Sequence, residues 1–232
     1  ILFLLHARRE GAASPWAPYV SSLPGSELVD LIPAHWSNLE LEQLLKGTPL
    51  LGQAREGAAS LVTFNADVVQ AQLCRKWPHV FPSEAYTLAA LSWAHAVYWS
   101  RAIVLPLPGG HGRQPCLVPL LDMANHDPTT TSAVTYERRK DARGPETPLE
   151  SAPGAVTGTD YVLRVGSRSA ASGEELHINY GAKGNGELLR CHGFAVPGNL
   201  ADVHEIDLAA VGWLGTGCSV EVGTWCTRLD ML

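Results

Sequence analysis

The chain has 232 residues, a formal net charge of −6 and 46% apolar residues, enough to bury a hydrophobic core in one or two domains. Charged residues make up only 17% and form no basic block, which argues against a nucleic-acid reader and against wholesale disorder. Cys74, Cys116, Cys191, Cys218 and Cys226 are scattered and never in CxxC spacing, so neither a disulfide framework nor a structural zinc site is expected, and the compartment reads as reducing and intracellular.

The apolar run Ile1-Leu2-Phe3-Leu4-Leu5 is too short to cross a bilayer and makes a poor signal peptide. Residues 1–10 read as the end of an amphipathic helix stopped by Gly11, in a chain that starts inside a helix. Ser14-Pro15-Trp16 restarts a short helix toward Leu23-Pro24. Ser37-Asn38-Leu39-Glu40 is a capping-box pattern opening a helix over residues 39–46, with Gly47 and Pro49 as stop signals. A longer helical pattern over 54–77 places Val68, Val69, Leu73 and Trp77 on one side, and Pro78 and Pro82 punctuate it. Ser83 is the expected cap of a helix over 84–100 whose apolar positions include Leu88, Leu91 and Tyr98.

The character then changes to β. Ile103-Val104-Leu105 is strand-like, residues 106–113 are a Gly/Pro loop, and 116–121 is a short apolar run. Strands are expected over 132–136 and 161–165, separated by a charged, Pro- and Gly-rich mobile insertion at 137–159. Residues 175–180 alternate, with Leu176, Ile178 and Tyr180 on one face. A short helix over 184–191 ends at His192-Gly193-Phe194. Residues 204–208 form a last possible strand, and the tail has no pattern.

Two segments stand out chemically: Pro119-Leu-Leu-Asp-Met-Ala-Asn-His-Asp-Pro128, and Gly173-Glu-Glu-Leu-His-Ile-Asn-Tyr-Gly181 with Glu187-Leu188-Leu189 and Gly193-Phe194 behind it. Each taken alone has an ordinary reading. Asn125-His126 is turn chemistry, Tyr180 a packed tyrosine, and Arg101 a charge complementing a helix C-terminus. Asp122, Asn125, His126 and Asp127 lack a second cluster with metal-ligand spacing, so no metal is expected. The Gly181–Gly186 region has no phosphate-loop pattern.

Taken in order, these motifs resemble the C-terminal half of the SET domain. More narrowly, they resemble the branch containing Rubisco large-subunit lysine methyltransferase and the actin-histidine methyltransferase. Phe3-Leu-Leu-His-Ala-Arg-Arg-Glu10, Trp16-Ala-Pro-Tyr19 and Leu23-Pro24 resemble the start of that branch's helical insert. Phe81-Pro-Ser83 through Trp93 and Ser100-Arg101 resemble its last helix.

The resemblance implies an α+β fold: a SET domain of small curved β-sheets with a large all-helical insert. It divides the chain into an insert at 1–100, the C-terminal half of the SET domain at 101–208, and an irregular tail at 209–232. It implies S-adenosyl-L-methionine as cofactor and a protein-lysine N-methyltransferase acting on a protein substrate. The other functions it leaves open are histidine methylation in the same fold and a catalytically inactive binding module. A monomer is expected, with no nucleic-acid or membrane partner. Arg101 would pair with the cofactor carboxylate, a natural task for a guanidinium fork. Asn125 and His126 would hold its adenine and amino-acid ends, and Phe194 would pack on the adenine. Tyr180 would be catalytic and touch the cofactor where the substrate nitrogen meets the methyl. His192 stands where some lysine-modifying relatives have tyrosine, and is a candidate substrate contact. The family's opening Gly-containing turn and first strands have no counterpart in this sequence, so an N-terminally truncated form is expected.

Overall fold

The computed structural model describes residues 1–106, 112–138, 159–164, 166 and 170–203. The first hundred residues are helical. Helix α1 (Leu2–Glu10) buries Leu4, Leu5 and Ala7 and ends on Gly11 at φ +54, a positive-φ conformation that glycine adopts without penalty. Helix α2 (Ala17–Ser22) has proline in its first turn, where the missing N–H is not needed.

Helix α3 (Asn38–Leu45) carries a complete capping box. Glu40 Oε2 accepts from the Ser37 amide at 2.8 Å, and Ser37 Oγ accepts from the Glu40 amide at 3.3 Å. Such a cap stabilises a helix end by about 1 kcal/mol. Pro49 does not simply end this helix. It opens the next one, α4 (Pro49–Thr63), from its first turn.

α4 runs directly into a π-helical stretch, Phe64–Cys74. Its i→i+5 bonding aligns positions five apart. Val69 and Cys74 are buried and Phe64 packs against the same core. The expected α-periodic face over 68–77 is therefore corrected: Trp77 is 45% exposed and lies under Lys76, whose ammonium sits 4.5 Å from the ring centroid. The cap at Ser83 is corrected too. Helix α5 (Leu88–Arg101) starts four residues later, with Thr87 Oγ1 accepting from the Ala90 amide at 3.2 Å.

α5 is the axis of the main core. Leu91, Ala94 and Val97 are fully buried against Leu4, Leu5, Val69 and Tyr86. Burying one such leucine is worth about 1.5–3 kcal/mol. Trp93 Nε1 donates to the Pro24 carbonyl at 2.8 Å, and Arg8 stacks over its ring at 4.1 Å. A second cluster, Leu41, Leu45, Leu50 and Ala54, takes in Trp36 and Leu189.

The strands pair in twos among the described residues. β1 (Ile103–Pro106) pairs antiparallel with β2 (Arg113–Cys116), Ile103 opposite Cys116. β3 (Asn125–His126) pairs parallel with β6 (His177–Ile178), Asn125 opposite His177. β4 (Ala133–Arg138) pairs antiparallel with β5 (Thr159–Arg164). The expected strand over 175–180 shortens to two residues: Ile178 is 5% exposed, whereas Leu176 is 39% exposed. Helix α6 (Asn185–His192) follows, its Leu188 fully buried. The architecture is α+β. Residues 139–158, most of the expected insertion, and the expected strand and tail beyond residue 203 lie outside the described residues. No helix among the described residues is long and apolar enough to cross a membrane.

Candidate active site

The site forms where α5 ends and α6 ends. Arg101, the last residue of α5, donates from Nη1 to the Asp122 carbonyl at 3.1 Å. Asp122 lies in a single 3-10 turn, Leu121–Met123, entered through Leu120 at φ +75. The turn delivers the chain to β3, and the parallel pairing of β3 with β6 sets Tyr180 beside His126. The Tyr180 amide donates to His126 Nδ1 at 3.2 Å, and the Tyr180 hydroxyl donates to the Ala124 carbonyl at 2.9 Å. Burial raises the Tyr180 phenol above its ordinary range, while the Arg101 guanidinium pulls it back.

Helix α6 brings the next pair. His192 Nδ1 lies 3.0 Å from the Ser100 carbonyl; a carbonyl only accepts, so Nδ1 carries the proton and Nε2 is the ring's acceptor. Burial lowers the His192 pKa, partly offset by the Ser100 carbonyl. Gly193 at φ +79 turns the chain, and a Cβ there would stand 2.7 Å from Leu31 Cβ. This turn sets Phe194 against the rings. Centroids are 5.0 Å apart for His126–Tyr180, 4.8 Å for Tyr180–His192, and 6.0 Å for Phe194 to each histidine.

A cavity of about 660 Å³ opens against this cluster, with Trp99, Arg101, Asp122, Tyr180, Lys183 and His192 in its wall. Asn125, His126 and Phe194 are not part of that wall. His126 backs the Tyr180 ring and Phe194 backs the His192 ring. The Asn125 amide points elsewhere, donating to Glu175 Oε1 at 2.7 Å.

Sequence reasoning gave Tyr19 no role and weighed Asp122 only as a metal ligand. Tyr19, from α2, donates its hydroxyl to Asp122 Oδ2. Asp122 is 5% exposed, and burial raises its carboxyl above the ordinary range, opposed by Tyr19 and Arg101. Tyr19 stood in a quoted motif, but nothing in the spacing pairs it with a carboxylate 103 residues away. Among the described residues no group of three or more His, Cys, Asp or Glu side chains could hold a metal ion.

The residues present fit a zwitterionic, cationic cofactor. The cavity falls within the range of roughly 300–1,000 Å³ usual for small-molecule sites. Among the described residues the Arg101 guanidinium commits one donor, to the Asp122 carbonyl, leaving others for a carboxylate. The aromatic rings beside it favour positive charge.

No family model matches the chain. N-lysine methyltransferase SETD6 from Mus musculus is 24% identical over 243 aligned positions, covering 100% of this chain and 46% of that protein. Ribosomal lysine N-methyltransferase set10 from Schizosaccharomyces pombe is 24% identical, covering 89% of this chain and 33% of its own length. Actin-histidine N-methyltransferase from Danio rerio is 25% identical, with 88% and 30% covered. The SET domain of LSMT, solved with lysine and AdoHcy, superposes with a TM-score of 0.62 at 24% identity, over 85% of this chain and 40% of that one. The chain thus spans less than half the length of the relatives it matches.

The chain has the SET fold. Along its length it is similar to SET-domain methyltransferases of the branch to which its motifs point, which holds both lysine- and histidine-directed members.

Proposed function

We propose that this chain is part of an S-adenosyl-L-methionine-dependent protein-lysine N-methyltransferase, with residues 1–100 as the helical insert and 101–208 as the C-terminal half of the SET domain. The protein acts on a protein substrate as a monomer, without a nucleic-acid or membrane partner. The observation that carries this reading is the placement of Arg101, Tyr180 and His192 in the wall of one cavity.

When bound, the cofactor supplies an electrophilic methyl group on a sulfonium. Arg101, anchored by one donor on the Asp122 carbonyl, binds its carboxylate. Phe194 supports the His192 ring from behind, and His126 holds the Tyr180 main chain at the cofactor's side. Because the Asn125 amide is taken by Glu175, its share in binding is to fix the β3 backbone. Tyr180 spends its own proton on the Ala124 carbonyl, so its oxygen presents lone pairs, which accept from the substrate amine and aim the nitrogen at the methyl. The amine attacks as the free base. A lysine entering a partly desolvated cavity beside a sulfonium would have its pKa depressed, which favours that form. His192, neutral and offering Nε2, is the second contact to the substrate nitrogen.

The test is calorimetric titration of the chain with S-adenosylmethionine. Binding with a Kd of about 1 μM, lost in Arg101→Ala, supports the reading. A folded chain that binds none overturns it for this piece of the protein. Mass spectrometry of the methylated product then distinguishes lysine from histidine.

A further inference from the structure

The methyl-transfer reading leaves Trp16-Ala-Pro-Tyr19 without a task. Tyr19 belongs to α2 in the helical half, yet its hydroxyl donates to Asp122 Oδ2 on the far side of the boundary with the β-rich half. The Asp122 carboxylate is buried, and its other oxygen, Oδ1, has no hydrogen-bond partner among the described residues. Tyr19 is therefore the side chain that secures it.

The turn that carries Asp122 serves the site directly. Its Asp122 carbonyl accepts from Arg101, and its Ala124 carbonyl accepts from the Tyr180 hydroxyl. The turn is held from within by two main-chain bonds, Asp122 to Val118 at 3.0 Å and Met123 to Leu120 at 3.4 Å. It is entered through Leu120 at φ +75, a conformation a leucine keeps only where its surroundings impose it. A strained turn with few bonds of its own needs an outside anchor, and the Tyr19 hydroxyl is one.

We propose that Tyr19 is a positioning residue: through the Asp122 carboxylate it holds the turn whose carbonyls orient Arg101 and Tyr180. Its effect on binding rests on the methyltransferase reading, while its effect on Arg101 rests on geometry alone.

Tyr19→Phe keeps the ring and its packing and removes the hydroxyl. Two measurements decide. The first is the Arg101 side-chain NMR signal of the ligand-free chain, assigned by its loss in Arg101→Lys. The second is calorimetric binding of S-adenosylmethionine and of methylthioadenosine, which lacks the carboxylate that Arg101 meets. In Tyr19→Phe the Arg101 signal moves, S-adenosylmethionine binds about tenfold more weakly, and methylthioadenosine stays within about twofold of the unsubstituted chain. An unmoved Arg101 signal overturns the proposal, as does equal weakening of both ligands, which marks a merely structural tyrosine. If the unsubstituted chain binds neither ligand, the methyltransferase reading falls and the Arg101 signal alone decides the role of Tyr19.

Discussion

The rings of Tyr180 and His192 lie 4.8 Å apart at 39°, and each side chain is pinned to a main-chain carbonyl, Tyr180 to Ala124 and His192 to Ser100. Backbone anchors of this kind fix two rotamers without engaging other side chains. The rings pack on each other, with His126 behind Tyr180 and Phe194 behind His192, so the whole cluster is held as a unit beside the cavity.

Tyr180→Phe separates chemistry from binding. The ring contact with His126 persists, but the oxygen that aims the substrate nitrogen is gone. Methyl transfer in single turnover is expected to fall at least about 100-fold, with cofactor affinity changed by less than about threefold. Undiminished turnover would leave Tyr180 as a packing residue.

Gly193→Ala combines two penalties, φ +79 and a Cβ within 2.7 Å of Leu31 Cβ. It is expected to destabilise the fold by about 2–4 kcal/mol, read as a lower midpoint in urea. A loss of under about 0.5 kcal/mol would mean that the α6 exit is looser than its geometry indicates.

The cap assignment of α5 is tested by two alanines. Thr87→Ala removes the side-chain acceptor for the Ala90 amide and should cost about 1 kcal/mol, while Ser83→Ala should be nearly neutral. The reverse order in thermal unfolding would restore the earlier helix start.

Stability should fall in mild acid. Burial, reinforced by neighbouring His35, holds His95 down at about 4 against its ordinary 6.5. Between those values the unfolded chain binds a proton that the folded chain refuses, so stability is full above about 6.5 and drains away as the pH drops toward 4. His35 and His192, also lowered by burial, add in the same direction. Asp122, raised by burial, acts oppositely from its ordinary 3.8 upward. Thermal unfolding from pH 4 to 7.5 checks this, and His95→Phe, which keeps a ring against His35 and Trp99, should flatten the profile.

The site was legible where chemistry sits in short motifs. Asn125-His126, Tyr180 and His192-Gly193-Phe194 stand out only when taken in order, and the β3–β6 pairing and the Gly193 turn bring His126, Tyr180, His192 and Phe194 together while the Asn125 amide turns to Glu175. The capping box at Ser37 was legible for the same reason, because its partners are three residues apart. Two things were hidden. A 3.6-residue period put Trp77 on one side with Val69 in the pattern over 54–77, because nothing local reveals that bonding over 64–74 runs i→i+5 and buries Cys74 instead. The Tyr19–Asp122 bond was hidden because it exists only once α2 and the 3-10 turn meet in space.

Leu120 joins a left-handed backbone to a side chain that is 80% exposed. The leucine itself gains little there, so the residue is a tuning point separable from the chemistry. Leu120→Gly would accept the same dihedral willingly. Evolution or an engineer could thus stiffen or slacken the approach to Arg101 and Tyr180 from the solvent side, one atom of cavity wall never being exchanged.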